Sequence, residues 1–185
     1  MDTGEIQPSE QWLLTGKFMQ PGLGPVYRKT RDACLPLPGE DSKVFGIRQL
    51  MGQIWIYAED GAYRVESDRA VRVTDEPISV YSIAEIDGNV WLAARNGAYR
   101  VEANRVTRIT KEEIHITRIE RIGNHIWLFT RNAFNPGPVY RVSEAGAIAY
   151  PDNETGVRKV YEIDGQFWFL TGEDSDPGPV RCAQI

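Results

Sequence analysis

The sequence of 185 residues predicts an all-β fold built from five repeats, and three observations carry that prediction. The tryptophans Trp12, Trp55, Trp91, Trp127 and Trp168 follow one another at 43, 36, 36 and 41 residues, a period of the length found in propellers and solenoids. Turn pairs stand at a fixed place before four of them: Met51-Gly52, Asp87-Gly88, Gly123-Asn124 and Asp164-Gly165. A shared stretch follows each tryptophan. It reads Gly24-Pro25-Val26-Tyr27-Arg28, Gly61-Ala62-Tyr63-Arg64-Val65, Gly97-Ala98-Tyr99-Arg100-Val101 and Gly137-Pro138-Val139-Tyr140-Arg141-Val142, with a drifted Gly178-Pro179-Val180-Arg181-Cys182 at the end. Four short strands per period make the blade of a β-propeller. The expectation is one β-propeller domain over residues 1–185, of about five four-stranded antiparallel blades, incomplete at the terminal blades. The units run approximately over 1–43, 44–79, 80–115, 116–156 and 157–185.

Each element follows from local chemistry. In the first unit only Met1 to Gln11 precede the tryptophan, Pro8 among them, so a first strand there is weak. The second unit runs through Leu50, the turn Met51-Gly52, Ile54-Trp55-Ile56 and the stretch from Gly61. The third is the clearest. Val80 to Ile86 is a strand, Asp87-Gly88 a two-residue turn that favours positive φ, and Asn89 to Ala94 a second strand. Asn96-Gly97 turns again, Ala98 to Glu102 is the third strand, and Val106 to Thr110 the fourth. Val80, Ile83 and Ile86, like Ile116, Ile119 and Ile122, also lie three apart as on a helix. The stretch is short, rich in β-branched residues and ends in a turn pair, so a bulged strand is expected and helix should make up less than about a tenth of the chain. The fifth unit stops at Ile185, before a fourth strand. Gly4 to Pro8, similar to Gly146 to Pro151, could supply that outer strand; otherwise the array is an open arc completed by another copy.

Composition narrows the function. Lys and Arg number 21 against 26 Asp and Glu, a formal charge of −5 without a basic run, which argues against nucleic acid as partner. No apolar run exceeds five residues, so no membrane span is expected. The first 30 residues carry no basic n-region or apolar h-region, so the default expectation is the cytoplasm, or the periplasm if the chain is cut from a larger sensor. Cys34 and Cys182 are read as two separate thiols, with a bridge open only if the two ends of the array meet. No nucleophile elbow, phosphate loop, zinc helix or dinucleotide fingerprint is present, so no enzyme, cofactor or metal is expected. His115 and His125 sit in the fourth unit, His125 at a turn-flanking position read as solvated. Asn153-Glu154-Thr155 and Asp174-Ser175-Asp176 are weak matches to a glycosylation sequon and a Ca²⁺ loop.

Gly88-Asn89-Val90-Trp91-Leu92 followed by Gly97-Ala98-Tyr99-Arg100 resembles the two-component regulator propeller repeat, roughly Gly-Asn-Ile-Trp-Ile-Gly-Thr and then Gly-Leu-Tyr-Arg. The resemblance covers about residues 44 to 183, with a partial copy from Trp12. It implies propeller blades and, through the family, a sensor role in the periplasm. Departures are clear: the family's Gly two after Trp is Leu14, Tyr57, Ala93, Phe129 or Leu170, and its Thr survives only as Thr15, Thr130 and Thr171.

The repeated residues Trp12, Trp55, Trp91, Trp127 and Trp168 are expected between blades, with Tyr27, Tyr63, Tyr99 and Tyr140 capping that layer and the neighbouring Arg over aromatic faces. Trp55, Trp91, Trp127, Ile83, Ile86, Ile119, Ile122, Val160 and Ile163 are the expected core. Sugar stacking on exposed tryptophans is the competing reading. Functional promise lies in irregularity. Segments Gly16 to Pro25, Arg131 to Pro138 and Gly172 to Pro179 lengthen the connection between second and third strands in units one, four and five. A closed ring makes these units neighbours, and insertions on one face of a repeat fold mark its binding face. The candidate site residues are Phe18, Met19, Arg131, Phe134, Asn135, Glu173, Asp174 and Asp176, the apolar ones forming a rim patch. The expected function is a non-catalytic binding module, its partner a protein, glycan or small molecule, or a second copy of the chain. The alternatives are a small-ligand sensor using the central channel, a lectin-like propeller, and an enzyme with carboxylates round that channel.

Overall fold

The computed structural model describes residues 11–14, 26–29 and 34–36 (backbone only), 43–66, 69–103, 105–132, 135–150, 152, 154–172 and 176–183. The chain forms five antiparallel meanders. The first sheet holds β1 (Gln11–Leu14), β2 (Val26–Lys29) and β3 (Cys34–Pro36). The second holds β4 (Val44–Leu50), β5 (Gln53–Ala58), β6 (Gly61–Glu66) and β7 (Arg69–Arg72). The third holds β8 (Val80–Ile86), β9 (Asn89–Ala94), β10 (Gly97–Glu102) and β11 (Arg105–Arg108). The fourth holds β12 (Ile116–Ile122), β13 (His125–Asn132), β14 (Asn135–Ser143) and β15 (Gly146–Tyr150). The fifth holds β16 (Val157–Ile163), β17 (Gln166–Gly172) and β18 (Pro177–Ala183). Each strand pairs with its neighbour in sequence, and no described residue is helical. The architecture is an incomplete β-propeller. Gly4 to Pro8, the proposed outer strand of the fifth unit, lies outside the described residues.

Local chemistry accounts for the meanders. Both residues of Met51-Gly52, Asp87-Gly88 and Asp164-Gly165 have positive φ, as a type I′ hairpin turn demands. In the third sheet the first two strands fall where the sequence puts them. The fourth strand, expected at Val106 to Thr110, runs over Arg105–Arg108 instead. Just past that end Ile109 N still donates to Ala98 O at 2.8 Å, and Thr110 is buried beside Gly97.

The first strand of each sheet from the second to the fifth carries a bulge, between Val44 and Gly46, Val80 and Ser82, Ile116 and Arg118, and Val157 and Lys159. The bulge explains the misleading threefold spacing. Tyr81 is an unpaired extra residue, so Val80 and Ile83 share one face of the third sheet while Ile86 lies on the other, beside Trp91. The stripe that reads as helical in sequence serves two interfaces.

Those interfaces stack the sheets in order. The tryptophan-bearing faces of the second, third and fourth sheets each pack on the opposite face of the next sheet. Trp55 and Ala62 meet Val80, Ile83 and Leu92; Trp91 and Ala98 meet Ile116, Ile119 and Leu128; Trp127 and Phe129 meet Val157, Val160, Phe167 and Phe169. The inner strands β4, β8, β12 and β16 run side by side, bridged where Arg48 donates to Ile83 O (3.2 Å) and Arg118 to Arg158 O (3.3 Å). The Asp87–Arg121 ion pair crosses the same kind of junction.

Trp55, Trp91 and Trp127 are at most 3% exposed, so they are packing residues and offer no ring face to a sugar. Ile83, Ile86, Ile119 and Val160 are buried as expected, whereas Ile122 is half-buried. Ile163 departs from expectation at 53% exposed. It lies with Trp168 on the tryptophan face of the fifth sheet, and no described sheet covers that face, so Trp168 is itself only half-buried. His125, read as solvated, is half-buried with its ring edge-on to Phe167 at 5.3 Å, because the fifth sheet closes over it.

Candidate functional site

The corner between second and third strands is where the units differ. In the second and third sheets it is a two-residue turn, Glu59-Asp60 or Arg95-Asn96. The repeated tyrosine closes it: Tyr63 Oη donates to Asp60 Oδ2 at 2.6 Å and Tyr99 Oη to Asn96 Oδ1 at 2.9 Å. The aliphatic wall beneath is Ala58 or Ala94, both fully buried.

In the fourth and fifth sheets the longer segments are extended hairpins rather than loops. Past a register shift after Phe129, Arg131 pairs with Pro136 and Asn132 with Asn135; past one after Leu170, Gly172 pairs with Pro177. Thr130 and Thr171 replace the alanines. Thr130 Oγ1 donates to Pro138 O at 2.6 Å, and Thr171 Oγ1 to Pro179 O at 2.5 Å. A proline carbonyl at the mouth of the hairpin thus has a buried donor, which satisfies an acceptor that the widened ladder leaves open. The Thr and Gly-Pro residues therefore occur together for a physical reason, and unit one has the same combination in Thr15 and Gly24-Pro25.

The two extended hairpins meet the 152–156 turn at an open cleft of about 380 Å³ between the fourth and fifth sheets. Asn135 and Pro136 form one wall, Gly178, Pro179 and Arg181 the other, and Thr155, Gly156, Thr171 and Gly172 line the space between them. Gly156 makes the junction close: a Cβ there would collide with the Pro136 carbonyl. Gly172, at φ +82, admits no side chain either, since a Cβ would strike the backbone of Gly178. The charged group is Arg181, whose Nη1 donates to Asp152 Oδ2 at 3.1 Å. Asp152 accepts from Thr155 N (2.6 Å), Thr155 Oγ1 (2.8 Å) and Glu154 N (2.9 Å). The bonds from Thr155, then that from Glu154, and lastly the Arg181 charge hold its carboxyl below the usual range. The cleft thus presents a fixed guanidinium among backbone polar groups, hydroxyls and an amide.

Of the residues singled out in sequence, Asn135 lines this cleft, Asp176 is exposed beside Gly172, and Arg131 is exposed on the same rim. Phe18, Met19, Phe134, Glu173 and Asp174 lie outside the described residues, as do the whole 16–25 segment and the Ca²⁺-like loop except Asp176. Among the described residues no three His, Cys, Asp or Glu gather into a metal site, and no helix is long and apolar enough to cross a membrane. Sequence reasoning missed Arg181, Thr155 and Gly156. The available signal was Arg181 beside Gly178-Pro179, in the only unit where Arg follows Val without the intervening Tyr.

Two further features lie at this end of the sheets. A second cleft of about 260 Å³ opens at the junction of the second and third sheets, with Asp75, Glu76, Asn96, Tyr99 and Arg108 in its lining. His115 lies against Tyr81, with ring centroids 4.7 Å apart. Desolvation lowers its pKa, reinforced by the charges of Arg95 and Arg131.

Stacked meanders with one tryptophan per blade define a β-propeller scaffold, a class that hosts many functions. No family model and no curated protein matches the chain. Solved structures do. Two crystal structures of the extracellular domain of one B. thetaiotaomicron protein, named once as a one-component and once as a hybrid two-component system, match with TM-scores of 0.52 and 0.50 at 17% and 15% identity. They cover 73% and 87% of this chain but 20% and 25% of their own. The computationally designed protein Ika8 matches with a TM-score of 0.55 at 12% identity, over 89% of this chain and 54% of its own. The likeness is one of fold, and this chain spans between a fifth and about half of those structures. It agrees with the resemblance of the repeats to the regulator propeller.

Proposed function

We propose that the chain is a non-catalytic binding module that holds its ligand in the rim cleft between the fourth and fifth sheets. The observation that carries this reading is the convergence of two extended hairpins, the features that break the repeat, on one open space. The chemistry of the lining favours a polar ligand bearing a carboxylate, such as a short peptide or a small acid. Arg181 supplies a planar guanidinium fork and Asn135 an amide, on opposite walls of the cleft. A titration of N-acetylated dipeptides and small dicarboxylates, followed by thermal shift and calorimetry, tests it. A binder is expected whose shift is lost in Arg181→Gln and weakened in Asn135→Ala. Binding untouched by both substitutions would place the site elsewhere.

The names of the matched extracellular domains support a second, compatible reading, in which the module is the sensing part of a signalling protein on the outer side of a membrane. Binding without turnover suits that role, since a sensor needs occupancy and release rather than chemistry. The test is whether the bound acid is recovered chemically unchanged after prolonged incubation with the protein.

A further inference from the structure

The fifth sheet carries an unpartnered surface that the rim cleft does not use. On its tryptophan face Tyr161 (39% exposed), Ile163 (53%) and Val180 (57%) stand around half-buried Trp168, with the exposed thiol of Cys182 directly opposite Trp168 on β18. Three of the five large exposed apolar residues among the described ones lie on this single face. A contiguous apolar patch of this kind marks an interface. The same face of the second, third and fourth sheets shows what covers it: the opposite face of another sheet of the same repeat.

We propose that this face docks the first sheet of a second copy of the chain. The first sheet has the register of the others, Trp12 opposite Arg28 as Trp91 is opposite Arg100. Leu13 and Tyr27 therefore hold the positions of Leu92 and Tyr99, on the face that elsewhere receives a preceding tryptophan, and no described sheet precedes it. Tyr161, Ile163 and Val180 stay exposed, so no described sheet of the same chain covers this face. Among the described sheets one face of each kind is thus uncovered, and the two belong to the same interface class. Cysteine placement agrees. Cys34, opposite Lys29, holds the register position of Val106 and Ala147, and those residues pack in the clusters around Trp55 and Trp91 of the preceding sheets. Cys182 holds the position of Arg100, which lies over Trp91. Docking therefore puts the Cys34 position of one copy and Cys182 of the other on the two sides of one contact, Cys182 opposite Trp168.

One sheet face is smaller than a standard interface, so the contact is weak and is best read by trapping. The full chain, at high concentration, is oxidised with diamide, which takes two electrons and two protons from a thiol pair to form one disulfide. Non-reducing gels and peptide mapping then locate the bond. A Cys34–Cys182 link between chains is expected, absent in Cys182→Ser and reduced by about tenfold or more in Ile163→Asp, which buries a charge in the contact. Because Ile163 is exposed in the single chain, the melting temperature of that variant at low concentration should match the parent, separating lost docking from lost folding. A Cys34–Cys182 link within one chain overturns the proposal in favour of ring closure. A Cys182–Cys182 link overturns the choice of the first sheet, and no inter-chain link while Cys182 reacts freely with maleimide shows the face to be uncovered.

Discussion

The third and fifth sheets carry the same repeat in different surroundings. The third is covered on both faces: Trp91 and Ile86 are buried under the fourth sheet, and Val80, Ile83 and Leu92 against the second. The fifth is covered on one face only, where Phe167 and Phe169 pack on Trp127. At the equivalent of Ile86, which is 6% exposed, Ile163 is 53% exposed. The corner differs as well. The third sheet closes with a short turn over Ala94, the fifth with a hairpin extension fastened by Thr171 to Pro179. The same repeat thus gives close packing on both faces of the third sheet and, among the described residues, an open face on the fifth. A propeller blade has no core of its own; its core is made jointly with the next one.

The largest expected effect comes from testing burial directly. Trp91→Ala should cost about 3–5 kcal/mol in denaturant unfolding, the range for a large core aromatic. Trp168→Ala, half-buried, should cost about 1–2 kcal/mol in dilute monomer. Equal losses would show that the fifth sheet is covered after all and dissolve the contrast.

A smaller effect isolates the corner. Thr171→Ala removes a buried donor and leaves the Pro179 carbonyl unpaired, a loss of about 1–2 kcal/mol measured the same way. The change should also loosen the Arg181 side of the cleft and weaken ligand binding. In the third sheet Ala94 makes no such bond, so the reverse substitution, Ala94→Thr, should stabilise nothing and strain a fully packed site.

The smallest effects are in pH dependence, and they too separate the regions. Asp152, in the turn at the fifth sheet's cleft, has a lowered carboxyl pKa, so its contribution is present above the ordinary carboxyl range and lost as pH falls below about 4. Asp152→Asn should flatten the acid limb of the thermal stability profile and free Arg181. His115, beside the third sheet, has a lowered imidazole pKa. The neutral form is favoured in the folded state, so stability is full above the ordinary imidazole range and declines between about pH 7 and 5. His115→Gln should remove that slope, and a profile flat in the parent would show that neither burial nor the Arg95 and Arg131 charges hold the imidazole neutral.

Much of the fold is legible in the residues. Tryptophan spacing, turn pairs with positive φ and the repeated Gly-Ala-Tyr-Arg stretch define the meanders and place the strands of the third unit nearly to the residue, because hairpin chemistry is local. The burial of Trp91 follows from its apolar flanks and its recurrence. The candidate site is legible in part. Departures of length mark where the array changes, and Asn135 stands where they pointed. Arg181, Thr155 and Gly156 were hidden because they come from different strands and from a connecting turn, and only stacking of the fourth and fifth sheets puts them side by side.

The sequence by itself determined the period, the strands, the turns and the class of scaffold, since each depends on contacts a few residues apart. Tertiary structure alone decided which face each aliphatic residue serves, because the bulge at Tyr81 reverses the side that simple alternation assigns. It decided that Ile163, written like Ile86, faces outward, because burial is a property of the neighbouring sheet and not of the residue. It also decided that the lengthened segments of the fourth and fifth sheets are paired hairpins meeting at one cleft, since the close approach of Gly156 to Pro136 joins parts of the chain that no local pattern connects.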